Sequence, residues 1–332
     1  MKLSTLYDLI VKYGIAEDPR ADKISEYFKD IRKAYRKAKG SEKTTFDKES
    51  LTNPFADTRI LYGSPDIEVQ KILVGIDIET PEILLAERIR EREGLDLVIS
   101  HHPEGIAYAG LSEVMQVHSF ILNKLGLEAE IVKDLVKERM QEVSRKILPA
   151  NHSRPVDAAR LLNMPFMSCH TPADNFVVKY LQTYLNKSKP KKAEDIIKLL
   201  NKIPEYREAS LNKAGPRLIL GKPQDKAGKV FVDMTGGTEG PKDIFARLSQ
   251  AGVKTLVCMH LSEEHFSKIK PEHINVVIAG HIASDNLGLN LLFDKIESRP
   301  SCKGTHLTNE GRDESAGKLE IIPASGFKRI PR

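Results

Sequence analysis

Residues 71–105, KILVGIDIETPEILLAERIREREGLDLVISHHPEG, decide the fold class. The first seven form a β-branched, apolar run that ends at Asp77, as a buried strand would. Pro81 opens and Gly94 closes a helical stretch between them and the next apolar run, 95–100, which passes directly into His101-His102-Pro103. Strand, helix and strand in so short a span make a βαβ unit, with parallel pairing and a right-handed crossover. Ligands of open α/β sheets collect beyond the carboxyl ends of the strands, so the residues after each strand carry the functional question.

The same texture extends outward. MPFMSC (164–169), RLILG (217–221), KVFVDMTGG (229–237), KTLVCMH (254–260) and NVVIAGH (275–281) read as further strands, and GPKDIFARLSQAG (240–252) and NLGLNLLFDKIE (286–297) as helices. The tail KLEIIPASGFKRIPR (318–332) reads as a closing edge strand with turn residues. Residues 1–50 have helical periodicity, including a basic stretch of Arg32, Lys33, Arg36, Lys37 and Lys39 around Tyr35, and 111–163 is largely helical. The charged segment 186–195, with Pro190, is the linker candidate. The expected organisation is a helical arm over 1–50, an α/β domain over 51–185 plus 276–332, and a second α/β domain over 186–275.

Histidine and carboxylate recur after three strand-like segments. His101 and His102 follow 95–100; His170, with Asp174 four residues on, follows MPFMSC; His281, with Asp285 four residues on, follows NVVIAG. Adjacent histidines leaving a strand diverge, because successive side chains alternate. They suit two neighbouring cations better than one. If a helix starts at His281, Asp285 lies on the same side, where a carboxylate could join two cations. Mixed imidazole and carboxylate ligation suits zinc, iron, manganese or nickel. The competing interpretation is unconnected polar residues at strand ends, and it weakens as such sites multiply.

Composition narrows the remainder. The 332-residue chain has ordinary globular proportions, a net charge of only +5 and no tryptophan, so nothing calls for a nucleic-acid partner. Cys169, Cys258 and Cys302 make no disulfide framework, which fits a reducing compartment. Asp8 and Lys12 interrupt the apolar run a signal peptide needs, and no span could cross a membrane, so the expected location is cytoplasmic. His260, Glu263, Glu264 and His265 follow the run 254–259 and could line the same cleft. Asp77 could support a ligand or cap the next helix. Thr235, Gly236 and Gly237 could form an anion-binding turn at a helix start. GPRLILGKP (215–223) lacks the glycine spacing of a phosphate loop, and no G-x-S-x-G elbow is present.

The segment 72–105, the HTPADN stretch and VVIAGHIASDNLG together resemble the Nif-three-like dinuclear metal proteins, often labelled type-two GTP cyclohydrolase I homologues. The likeness covers roughly residues 53–332. It implies a Nif-three-like fold of two α/β domains, with two divalent ions per chain in the cleft between them. The implied ligands are His101, His102, Asp174, His281 and Asp285, with His281 beside His101, Asp174 beside His102, and Asp285 as the bridge where the family usually has Glu. A toroidal homohexamer is implied as well. The implied activity is metal-dependent hydrolysis of a nucleotide or related phosphorylated or heterocyclic substrate, for which Glu263, His265 and Asp77 are catalytic candidates. The alternative is a non-catalytic metal-binding adaptor that acts through protein partners.

Overall fold

The computed structural model describes residues 1–299 and 319–332; Cys302 lies outside them. The fold is mixed α/β with two sheets. The first has the order β1-β4-β3-β2-β9, from Arg59–Tyr62 (β1), Lys71–Gly75 (β2), Leu97–Ser100 (β3), Phe166–Ser168 (β4) and Glu320–Ala324 (β9). Only β1 runs antiparallel to its neighbour. The second has the order β5-β8-β7-β6, from Arg217–Leu220 (β5), Lys229–Asp233 (β6), Val253–Cys258 (β7) and Asn275–Ile278 (β8), with β5 antiparallel.

The βαβ reading of 71–100 holds: β2 and β3 pair in parallel, joined by the helix Thr80–Glu93. Their side chains alternate between two cores, as period-two geometry requires. Ile72, Val74, Leu97 and Ile99 face one core, while Leu73 and Val98 face another built with Ile83, Ala86 and Ile89. The tail forms β9, an edge strand, which tolerates Pro323 because its missing N–H faces no neighbour. Strand β1 is an element that sequence alone did not single out; four residues are too few for a periodic signal.

Two long helices link the sheets. Thr171–Ser188 places Ala173 in the core of the first sheet and Val177, Leu181 and Leu185 in that of the second. His281–Glu297 does the same, with Leu289, Leu292 and Phe293 in one and Ala283 and Leu287 in the other. The expected linker 186–195 is the sharp end of the first of these helices, where left-handed Lys189 leads to a new helix at Ala193. Likewise β8, grouped by sequence with the first domain, hydrogen-bonds within the second sheet. The N-terminal segment is not a free arm along its whole length, since Leu3, Leu6 and Ile10 are buried in the first core, whereas Ile24–Lys37 buries nothing. No helix among the described residues is long and apolar enough to cross a membrane.

Candidate metal centre

The hydrogen-bond ladder of β3 continues beyond its last residue. His101 N donates to Gly75 O at 2.8 Å and His102 N to Ile76 O at 2.9 Å, so both histidines leave the strand in extended backbone and their rings diverge. His101 turns toward β4, where its Nδ1 donates to the Cys169 carbonyl oxygen at 3.1 Å. His102 turns toward β2, where its Nδ1 donates to Asp77 Oδ1 at 2.6 Å. Each bond occupies Nδ1 and leaves Nε2 as the nitrogen that faces the cluster, the arrangement ligand histidines use.

Both Nε2 atoms point at the N-terminal turns of the two bridging helices. Asp174, in the first turn of Thr171–Ser188, has Oδ1 3.5 Å from His101 Nε2. A helix does begin at His281, and Asp285 one turn later is wholly buried. Its Oδ1 lies 3.5 Å from His101 Nε2, and its Oδ2 lies 3.5 Å from His102 Nε2 and 3.7 Å from His281 Nε2. These atoms form ligand-like groups: His101 with Asp174 and Asp285, and His102 with His281 and Asp285. Two ligands on one tetrahedral cation, each bonded at 2.0–2.2 Å, stand about 3.4 Å apart, close to these separations.

Among the described residues, His101 Nε2, His102 Nε2, Asp174 Oδ1 and both oxygens of Asp285 are buried without any hydrogen-bond partner. Buried polar atoms are ordinarily satisfied. Five such atoms converging on one another fit a cation site. The charges agree. Burial opposes ionisation of Asp285, yet the imidazoles of His101, His102 and His281 outweigh it and hold the carboxyl far below the usual range. In the metal-free protein burial lowers the basicity of His102, but Asp285 and Asp77 raise its pKa to about 10. Burial and its neighbouring imidazoles push His281 down to about 4, and burial pushes Asp174 up to about 6.

The pairing reverses the one the resemblance implies. Asp174 sits with His101 and His281 with His102. Strand order is the reason: His101 leans toward β4, whose following helix carries Asp174, and His102 leans away from it toward β2.

Two further residues join the centre. His170 belongs to a third ligand-like group with His101 and His102; its Nδ1 donates to Asp57 Oδ2 at 2.9 Å and its Nε2 lies 3.8 Å from Asp174 Oδ2. Thr171 Oγ1 donates to the same Asp57 oxygen at 2.6 Å. Asp57 carried no signal in the sequence, because its partners lie more than a hundred residues away. Glu104 was also passed over, although it directly follows His-His-Pro. Burial, aided by Glu79, pushes its carboxyl up to about 7.

The catalytic candidates separate. Asp77 supports His102. His265 is buried and committed: Nε2 donates to Gly240 O at 2.9 Å, and Nδ1 accepts from the Ser262 hydroxyl at 2.7 Å. Glu263 is exposed at the start of Glu263–Ile269, and Glu264 pairs with Lys242. Thr235-Gly236-Gly237 is not a helix start, since the next α-helix begins only at Phe245. Cys169 and Cys258 are buried free thiols, and burial raises both far above the ordinary thiol range.

No protein-family model and no curated protein matches the chain. Among solved structures, a NIF3 superfamily protein from Sphaerobacter thermophilus is 27% identical, with a TM-score of 0.66 over 82% of this chain and 92% of that one. Reduced HcgD from Methanocaldococcus jannaschii is 15% identical, with a TM-score of 0.47 over 84% of this chain and 93% of that one. A Bacillus cereus protein related to NIF3 is 11% identical, with a TM-score of 0.40 over 85% and 94%. The first likeness extends over most of both chains. In sequence and in fold the chain is thus similar to the NIF3 superfamily.

Proposed function

We propose that this chain is a metal-dependent hydrolase that holds two divalent cations and acts on a nucleotide or related phosphorylated or heterocyclic substrate. The observation that carries the reading is the set of five orphaned buried atoms on His101, His102, Asp174 and Asp285. His101, Asp174 and Asp285 would hold one cation; His102, His281 and Asp285 would hold the other, with one oxygen of Asp285 for each. The donor set suits zinc, iron, manganese or nickel. Cations bound there would supply Lewis acidity toward an oxygen of substrate or water.

The chain's own residues set the conditions for that chemistry. Cys169 O and Asp77 engage Nδ1 of the two histidines, so Nε2 is the nitrogen aimed inward on each ring. Glu104, held to about 7, can carry a proton at neutral pH near Asp77 and His102. A cleft opens to solvent against His170, Asp174 and His281. An adaptor role requires no such space, so the cleft favours catalysis.

The test is elemental analysis of the purified protein, followed by a screen of nucleotides and phosphoesters. Turnover should vanish on chelation, return with added metal and be absent from His102→Ala. Protein that takes up no metal on reconstitution, or activity that survives both chelation and His102→Ala, would sink the proposal.

A further inference from the structure

The chain beyond β9 joins the two elements that carry the His102 group. Ile76, whose carbonyl oxygen accepts His102 N at 2.9 Å, donates its own N–H to Ser325 O at 3.0 Å. A tight turn follows, closed by Phe327 N donating to Ala324 O at 2.9 Å, with φ of +40° at Ser325 and +84° at Gly326. A serine in that region is uncommon and persists only where its surroundings hold it. Gly326 sits between the two elements: a Cβ there would stand 3.4 Å from Ile282, the neighbour of His281, and 3.5 Å from Ile76. Phe327 is buried in the first core against Phe293, which anchors the turn.

Two asparagines of the helix His281–Glu297 grip the backbone that follows. Asn286 Nδ2 donates to Gly326 O at 2.8 Å, and Asn286 Oδ1 accepts from Lys328 N at 2.6 Å. One turn on, Asn290 Nδ2 donates to Lys328 O and Asn290 Oδ1 accepts from Ile330 N, both at 3.0 Å. The periods match, since four helical residues rise about 6 Å and two extended residues about 6.6 Å. Each side-chain amide therefore meets alternate peptide groups, as a neighbouring strand would. Asn286 Nδ2 also donates to Ile282 O at 2.7 Å, so the same side chain braces the first turn of its own helix.

We infer that residues 325–328 and Asn286 form a positioning staple, which holds the first turn of this helix, and with it His281, at a fixed distance from His102. The inference rests on the two-cation reading and names what sets the affinity of one of the two sites. The other site has ties of its own. His101 bonds to Cys169 O, the helix that carries Asp174 starts two residues later, and Gly288 lies against Ala173, which seats Asp285 beside Asp174. His281 stands half-buried at the first position of its helix, where those ties do not reach and the staple does.

The test is calorimetric titration of the full chain with zinc, with Asn286→Ala introduced into two backgrounds. In Asp174→Ala, which leaves His102, His281 and Asp285, affinity should fall roughly tenfold, the lower end of what losing a ligand's support costs. In His281→Ala, which leaves His101, Asp174 and Asp285, it should stay the same. The unmodified chain gives a second measurement that does not depend on whether the variant folds. Coupling is reciprocal, so zinc should slow hydrogen exchange at Lys328 N by about the same factor, and should not do so in His281→Ala. Equal losses in the two backgrounds, no loss in either, or exchange at Lys328 N unchanged in a zinc-loaded chain would overturn the staple and leave the metal centre standing. A chain that takes up no zinc would overturn both.

Discussion

Asp77→Asn is the most discriminating perturbation of the centre, because Asp77 touches one histidine and no other ligand candidate. Its carboxylate accepts the Nδ1–H of His102 at 2.6 Å, a short charge-assisted bond. The asparagine amide oxygen can accept the same proton, so the tautomer survives and only the charge is lost. A hydrogen bond to a charged group is worth about 1.5–3 kcal/mol and one between neutral groups about 0.5–1.5 kcal/mol. The loss is therefore about 1–2 kcal/mol, or roughly five- to thirty-fold in affinity, which overlaps the usual effect of residues that support a metal-bound histidine. Asp77 is 61% exposed, and solvent screening favours the lower end. The weakening should fall on one cation alone. In an Asp174→Ala background, which leaves His102, His281 and Asp285, calorimetric metal titration should show the full loss from Asp77→Asn. In a His281→Ala background, which leaves His101, Asp174 and Asp285, it should show almost none. Equal losses in the two backgrounds would refute the assignment of His102 to the His281 group.

Three more outcomes follow from the same geometry. Asp285→Asn should lower occupancy of both cations together, measured by elemental analysis, because each oxygen faces a different group; loss of one alone would mean that Asp285 is not shared. Metal uptake at pH 7.5 should release close to one proton from His102: its pKa of about 10 in the metal-free protein keeps it charged there, so affinity should rise with pH. Calorimetry in two buffers of different ionisation enthalpy checks this, and identical heats would contradict it. Gly288→Ala, ordinarily a helix-stabilising change of about 1 kcal/mol, should instead lower the melting temperature. Its Cβ would lie 2.4 Å from the Ala173 carbonyl oxygen, and overpacking against backbone costs about 1–3 kcal/mol; a raised melting temperature would show that the helices can yield.

What the sequence revealed and what it concealed divide along a physical line. The β2–helix–β3 unit, the divergent histidines and the one-turn spacing of His281 and Asp285 are local features, set by the periods of strand and helix. The pairing of ligands is not local. It depends on β4 lying on one side of β3 and β2 on the other, and strand order leaves no trace in spacing. The same holds for the His170–Asp57 bond, which joins positions 113 residues apart. At 186–195, where charge and Pro190 suggest a linker, a helix whose preceding turns pack in the second core ends and the next begins at Ala193.

Asp285 joins the two kinds of information. An aspartate where the resemblance leads one to expect glutamate is a methylene short, and from sequence its reach to both groups was in question. Its oxygens nevertheless stand 3.5–3.7 Å from three imidazole nitrogens. Nearly one turn further along the same helix, Gly288 lies against the backbone of Ala173, the residue before Asp174, in a contact that no side chain would permit. The glycine lets the helices that carry the two acids approach, and that approach brings a shorter carboxylate into range. The missing methylene and the missing Cβ are thus one packing solution, which is why Gly288→Ala should disturb metal binding along with stability.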